Sequence, residues 1–418
     1  MKIASLNQVT SLIKTPFIDR AIHASLLSHI KDAIEITILY GPRQIGKSQE
    51  IYTCLEQLFR SGTSDLFLYN LDIIPDEFES PDAFLATIVA QKTNPAAKTY
   101  IFLDEAQRLE NVGLFVKYLY DQNKNIKFVL TGSASLDIKA KIKEPLTGRK
   151  QEFFLAPLTL KEITHFRGIQ TNQIISDFPL LDKILEEYLL FGGYPEVVTF
   201  GTRLQKIAKI SEIANSYTLR DVSTFFDFDN PKILQLVSRF LAENIGNILS
   251  KDNISKIGGI SKYQTEKALE ALEKSFIIKL IPPLSKSPTK ELSHRPKIFF
   301  QDLGIRNAIL NKLEQTLISA DKGQLFENAI ATELLSKQEP DSLKYWRTTN
   351  QTEVDFVVMK PNGKADAYEA KYQWGNKKSL PKNLQSLKKQ YPDVIENTVV
   401  LSKSNYWQLF ANYTYSIQ

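Results

Sequence analysis

Short apolar blocks separated by helix-length stretches dominate the first third of the chain. Ile36–Tyr40 (ITILY) runs into a Gly-Pro pair, and the following GKSQEIYTCLEQLF carries apolar residues at helical spacing, which predicts strand, loop and helix in that order. Further apolar blocks at Leu66–Leu71, Thr99–Leu103, Phe128–Thr131 and Gln151–Leu155 repeat the alternation expected of a mainly parallel sheet, so an α/β domain is predicted to end near Pro157.

From Leu158 to Asn230 the period becomes helical, interrupted by FGGYPEVV at 191–198 and by DFDNP at 227–231, and a helical lid or linker is the economical reading. Between Lys232 and Leu310 come helix-period segments, the apolar run FIIKLIPPL, the loop SKSPTKELSHRPK and KIFFQD; two short strands joined by a basic loop after helices point to a winged helix. Within it, Ile254 and Ile257 precede Gly258-Gly259, and Ser261 with Gln264 three residues on reads as a capping box, so a helix, a tight turn and a second helix are expected. Ala268, Leu269 and Leu272 would face the core, leaving Lys262, Tyr263, Gln264 and Lys267 for solvent or a DNA groove. The last hundred or so residues read as helix (Gly323–Lys337), three strands (Leu343–Thr348, Val354–Met359, Ala365–Lys371), helix (Pro381–Gln390) and strand (Asn397–Leu401), a second small α/β domain.

Composition narrows this only in places. A chain of 418 residues with 43% hydrophobic positions is that of a globular protein with about two to four domains. With 52 basic against 47 acidic residues, the net charge of +5 permits a nucleic-acid partner without demanding one. The single cysteine, Cys54, is read as ruling out an intramolecular disulfide and any cysteine-based zinc site; His23, His29, His165 and His294 show no metal-ligand spacing. No stretch approaches the roughly 18 apolar residues of a membrane span and no signal-like segment opens the chain, so the expected location is the cytoplasm, without a membrane partner.

The chemistry concentrates at Gly41-Pro42-Arg43-Gln44-Ile45-Gly46-Lys47-Ser48, which fits G-x-x-x-x-G-K-[ST] between a strand and a helix. Glycines 41 and 46 let backbone N–H groups converge on phosphates, the helix start at Lys47-Ser48-Gln49 adds its partial positive charge, Lys47 reaches phosphate oxygens and Ser48 ligates Mg²⁺. The strand Tyr100-Ile101-Phe102-Leu103 ends in Asp104-Glu105, two carboxylates at the edge where ligands of parallel sheets sit. Asp104 is the expected Mg²⁺ partner and Glu105 the base that orients the attacking water, with ATP and Mg²⁺ as cofactors.

The segments YGPRQIGKS, IFLDEAQRL, LTGSASL, LTGRKQEFFLAPLTLKEI and LLFGGYPEVV resemble the AAA-like branch of P-loop ATPases, specifically the prokaryotic ATPases that carry a C-terminal domain of unknown function. That resemblance spans nearly the whole chain. It implies that the strand ending in Thr131-Gly132-Ser133 lies between the two nucleotide-binding strands, that Ser133 is a polar sensor of the γ-phosphate, and that Arg149 senses or stabilises the transferred phosphate in its own or a neighbouring subunit. A surface arginine paired with an acid is the plain alternative for Arg149.

A second constellation lies near the C-terminus. Glu369 and Lys371 alternate by two on one strand and project to one face, where Asp355 on a neighbouring strand and Glu327 on a helix can join them. Such a group could hold Mg²⁺, with the lysine acting on a water that attacks a phosphodiester. It resembles the PD-(D/E)xK nucleases, particularly their archaeal Holliday-junction-resolvase-like branch, with Glu327, Asp355, Glu369 and Lys371 at the motif positions and valine where proline precedes the aspartate. Lys377, Lys378, Lys382, Lys388 and Lys389 beside Tyr372 and Trp374 would give such a module a basic, stackable surface, or form one solvated helix face. Lys286, Lys290, His294, Arg295 and Lys297 around the wing are read as phosphate contacts.

The expected architecture is therefore α/β: a P-loop ATPase parallel sheet over residues 1–165, a helical lid or linker over 166–230, a winged helix over 231–312 and a small restriction-endonuclease-like domain over 313–418. The expected activity is ATP hydrolysis coupled to a region acting on nucleic acid, DNA before RNA, by Mg²⁺-dependent cleavage; the rival is a regulatory or scaffold ATPase whose last domain only binds nucleic acid or protein. Self-assembly or a protein partner accompanies either reading.

Overall fold

The structure, a computed structural model, describes residues 2–122, 125–132, 145–169, 178–216, 222–226, 228, 230–285, 295–314, 319–336, 342–374 and 379–411. They belong to two compact units, Met1–Ala156 and Pro157–Gln418.

In the first unit the apolar blocks become five strands: β1 (Ile36–Tyr40), β2 (Leu66–Asn70), β3 (Thr99–Asp104), β4 (Ile126–Gly132) and β5 (Lys150–Phe154). All pair in parallel in the order β2-β3-β4-β1-β5. β4 thus separates β1 from β3, as the resemblance implies. β3 and β4 are buried along their whole length, which is why their sequences are continuous apolar runs rather than alternating ones. The register sets Tyr40 against Gly132 and Asn70 against Asp104, so β1, β3 and β4 end together at one edge of the sheet. Helices Lys47–Arg60, Pro81–Gln91 and Val112–Gln122 follow β1, β2 and β3. Tyr69, Phe78, Phe84 and Phe115 pack ring against ring in the core, with centroid separations of 4.7 to 5.5 Å.

The second unit begins with short helices. Leu160–Phe166 opens on a capping box between Thr159 and Glu162, and Phe178–Phe191 ends at the expected Gly-Gly break. The break has a specific cause: the Gly193 N–H donates to the Asp302 carboxylate at 2.7 Å, while the same carboxylate caps helix Leu303–Ile309 through the Ile305 N–H at 2.9 Å. Helices Pro231–Glu243, Lys251–Gly258 and Lys262–Lys274 then precede an antiparallel hairpin of β6 (Ile278–Ile281) and β7 (Lys297–Phe300). Gly259, at φ 61°, terminates the middle helix, and Ser261 and Gln264 form the expected reciprocal cap. Ala268, Leu269 and Leu272 are buried and Tyr263 is exposed, as the periodicity requires.

Four strands complete the unit: β8 (Leu343–Arg347), β9 (Glu353–Met359), β10 (Ala365–Ala370) and β11 (Ile395–Leu401), in the order β11-β10-β9-β8. β8–β9 and β9–β10 are antiparallel and β10–β11 parallel. Helix Ser319–Leu335 packs against β9 and β10, and helix Lys382–Gln390 buries Leu384 and Leu387 with Trp346 and Ile395. Among the described residues, no helix is long and apolar enough to cross a membrane.

A Cβ at position 193 would stand 2.1 Å from the Leu158 carbonyl oxygen, a backbone atom that cannot rotate away. Gly193→Ala is therefore expected to lower the unfolding free energy in a denaturant titration by about 1–3 kcal/mol. Gly201→Ala, with no heavy atom within 4 Å of the added carbon, should stay within about 0.5 kcal/mol of the parent chain.

Candidate functional site

The loop between β1 and helix Lys47–Arg60 is shaped by three left-handed or otherwise special backbone positions: Gly41 (φ 156°), Gln44 (φ 59°) and Gly46 (φ 96°). A Cβ on Gly41 would lie 2.3 Å from the Leu155 carbonyl oxygen, so the loop runs too close to β5 for any side chain there. Arg20, missed by sequence reasoning because it lies outside the motif, braces the loop by donating to the Ile45 carbonyl at 3.2 Å and to that of Ala156.

Lys47 is 5% exposed and its ammonium donates to the carbonyls of Gly41 (3.1 Å) and Pro42 (2.8 Å). Burial lowers its pKa to about 8, against the opposing charges of Glu105 and Asp104. An ammonium held in this way gains most from an anion placed beside it.

Asp104 ends β3 and is 2% exposed. The Thr131 hydroxyl of β4 donates to one of its oxygens, and the Tyr52 hydroxyl donates to the other at 3.2 Å. Tyr52, one turn beyond Ser48, also exchanges a hydrogen bond with the Ser48 side chain. The Ser48 and Asp104 side chains therefore both reach one phenol hydroxyl, which places two oxygen donors of the kind Mg²⁺ takes in the same neighbourhood. Thr131 and Tyr52 were not legible as site residues. Their signal, a hydroxyl two residues before the expected sensor and another one turn past the P-loop serine, acquires meaning only once β3, β4 and the helix are side by side.

Glu105 takes up a left-handed backbone at φ 53°, its N–H donating to the Thr131 hydroxyl at 3.0 Å and its carboxylate accepting from the Gln107 amide. The same threonine thus holds the Asp104 carboxylate and the Glu105 backbone. Ser133 lies outside the described residues.

The Gln49 side-chain amide accepts from the N–H of Lys14 (2.6 Å) and donates to the carbonyl of Leu12 (3.1 Å), so this side chain ties down the amino-terminal segment while the backbone of Gln49 remains part of the helix start. One expected member stands away from this site. The Arg149 carbonyl accepts from the N–H of Ile36, the first residue of β1, which places Arg149 at the sheet edge opposite the loop. A parallel strand of five residues puts roughly 13 Å between those edges. Arg149 pairs with Asp121 at 2.6 Å, so action on phosphate within its own subunit is corrected to a surface ion pair.

In the second unit, Lys371 and Glu369 do share a face, with Nζ 2.7 Å from Oε1. Asp355 accepts from the Ala370 N–H at 2.9 Å, and Asn383 donates to Glu369 at 2.7 Å. The centre of the acid group is a residue that the sequence assigned elsewhere. Lys297, expected at the wing as a phosphate contact, is 2% exposed, with its ammonium 2.9 Å from Glu327, 2.6 Å from Glu353 and 3.6 Å from Asp355. It is corrected to an internal counterion. Lys286, Lys290, His294, Lys377 and Lys378 lie outside the described residues.

Burial would lower the Lys297 pKa, yet the three carboxylates outweigh it and raise the pKa. Burial and the Asp355 charge push Glu327 up to about 7 in spite of Lys297. Burial and Asp355 likewise raise Glu369. Lys371 is also desolvated, but Glu369, Asp355 and Glu327 more than offset this and raise its pKa, which favours a fixed positive charge over a proton-accepting amine.

Comparison with known proteins gives three matched stretches. Residues 34–164 match an AAA domain (AAA_14), residues 182–316 a domain of unknown function (DUF8612) and residues 322–416 another (DUF4143). An uncharacterized protein of Haemophilus influenzae is 25% identical over 82% of this chain and 84% of its own. One of Methanocaldococcus jannaschii is 27% identical over 84% of this chain and 76% of its own. Among solved structures, the Walker-type ATPase paby2304 of Pyrococcus abyssi is 17% identical, covering 72% of this chain and 97% of its own, with a TM-score of 0.47. With a five-stranded parallel sheet and a complete phosphate loop in the matched stretch, the amino-terminal unit is an AAA-type P-loop ATPase domain, followed by two domains of unknown function.

Proposed function

We propose that this chain binds Mg²⁺-ATP, hydrolyses it, and uses its nucleotide state to govern a carboxy-terminal unit that binds nucleic acid. The observation that carries the first half is the buried Lys47 ammonium, bonded to carbonyls only among the described residues and facing Asp104 across the loop edge. A polyphosphate tail supplies the negative charge that this ammonium lacks. The loop N–H groups and the start of helix Lys47–Arg60 take the same anion. Ser48 and Asp104 would hold the Mg²⁺ ion, which neutralises charge on the β and γ oxygens when bound. Glu105, fixed through Thr131, orients the attacking water and accepts its proton.

For the second half, the helices Lys251–Gly258 and Lys262–Lys274 with the β6–β7 hairpin have the element order of a winged helix, and Tyr263 is 72% exposed at the start of the second helix. Binding without cleavage is favoured over the nuclease reading by Lys297, whose ammonium stands among the carboxylates that a catalytic metal would need. A unit of this kind should bind duplex DNA with an affinity that falls steeply with salt, and should leave labelled DNA uncut in Mg²⁺ or Mn²⁺. Salt-insensitive absence of binding would point instead to a protein partner.

Three outcomes test the reading. Lys47→Ala should reduce phosphate release by on the order of 10²–10³-fold with the fold retained. Thr131→Val, which removes the hydroxyl shared by Asp104 and Glu105, should cost about 10–100-fold in Mg²⁺ affinity or turnover. Lys297→Met takes the nearest ammonium from Glu327 and Asp355 and leaves Glu353 with Arg347, and should lower the unfolding free energy by about 3–5 kcal/mol. Because Glu327 already has a raised pKa, it becomes neutral as the pH falls, so the Lys297→Met loss should be larger at pH 8 than at pH 6 in parallel denaturant titrations.

A further inference from the structure

On the far side of the phosphate-loop helix from its mouth, three metal-ligating side chains meet that are remote in sequence. Glu50 and Cys54 stand four residues apart on helix Lys47–Arg60 and therefore share a face, and His23 begins helix His23–Asp32 beside them. His23 Nδ1 is 2.6 Å from Glu50 Oε1 and 3.9 Å from Cys54 Sγ, and one ligand atom from each residue lies within 4.8 Å of the others. Among the described residues, this is the one group of three or more His, Cys, Asp or Glu side chains that meets that distance.

A second observation separates this cluster from an ordinary His–Glu contact. Glu50 is 0% exposed, yet its Oε2 has no hydrogen-bond partner, and a buried carboxylate oxygen left in that state is costly. The other histidine nitrogen is also held: Nε2 lies 2.9 Å from the Gln57 side-chain amide, one further turn along the same helix face. With that amide turned so that its oxygen accepts the ring N–H, Gln57 fixes the tautomer that leaves Nδ1 as a metal ligand.

We propose that His23 Nδ1, the Glu50 carboxylate and Cys54 Sγ form a binding site for a Zn²⁺-class cation, pinning helix His23–Asp32 to the helix that carries the phosphate loop. One nitrogen, one oxygen and one sulfur suit zinc better than Mg²⁺ or Ca²⁺, which take oxygen alone. Three protein ligands leave a fourth position for water, and the His23 side chain, 21% exposed, gives it an approach that the buried acid and thiol do not. Ligand lengths of about 2.0–2.3 Å in a tetrahedral site require the His23–Glu50 contact to open by well under 1 Å. On binding, the thiol proton and the proton held between His23 and Glu50 leave to solvent. Glu50 is two residues from Ser48, so a cation here would brace the start of the nucleotide helix without touching nucleotide.

The test uses the full chain stripped of metal with a chelator and titrated with Co²⁺ as a spectroscopic substitute. One equivalent should give a thiolate-to-cobalt charge-transfer band, removed by an equivalent of Zn²⁺, and Zn²⁺ should raise the melting temperature. Cys54→Ala should abolish the band and the shift, while Gln57→Ala should keep the band and weaken binding about 10–100-fold. No charge-transfer band on the folded parent chain, or a cobalt spectrum unchanged by Cys54→Ala, would overturn the proposal. Should Cys54→Ala fail to fold, an unchanged affinity in Gln57→Ala would overturn it equally.

Discussion

Taking a lysine ammonium out of water is tolerable only if something inside the protein meets its charge, and the two units of this chain meet that demand in opposite ways. Lys47 is buried against carbonyl oxygens, and its pKa falls to about 8. Lys297 is buried against three carboxylates, and its pKa rises. The same desolvation acts on both. The first ammonium is met mainly by neutral carbonyl dipoles and the second by three charges in direct contact, so the first pKa falls and the second rises.

The parallel sheet makes the first arrangement possible. β1, β3 and β4 end together, which brings the loop, Asp104 and Thr131 to one edge, and helix Lys47–Arg60 returns Tyr52 to the same point. Asp104 accepts hydrogen bonds from the hydroxyls of Thr131 and Tyr52. In the second unit the acids from β9, β10 and helix Ser319–Leu335 also converge, but β7 delivers a lysine into their midst. The charge that shares their pocket decides what they can do.

The motif around Gly41–Ser48 was readable because it is contiguous: its residues are neighbours on the chain, and the strand and helix on either side have periods that local sequence reports. Asp104 and Glu105 were readable for a related reason, since the end of a buried parallel strand announces itself as an apolar run meeting charge. The capping box at Ser261 is likewise a local device, whereas the Gly-Gly break at 192–193 shows in the sequence but owes its cause to the distant Asp302.

What the chain alone determined, then, is where its strands and helices lie and which short segments carry phosphate chemistry, because those depend on residues a few positions apart. Tertiary structure decided the rest. Arg149 stands beside the loop or opposite to it according to the register of β5 on β1, which no local pattern encodes. Lys297 reads as a surface base in sequence and becomes a counterion because β7 lies over β9. His23 and Cys54 show no ligand spacing along the chain, yet helix packing sets them on either side of Glu50. Each of these outcomes depends on pairing between elements distant in sequence, and only folding brings such partners within the few ångströms over which charge and hydrogen bonds act.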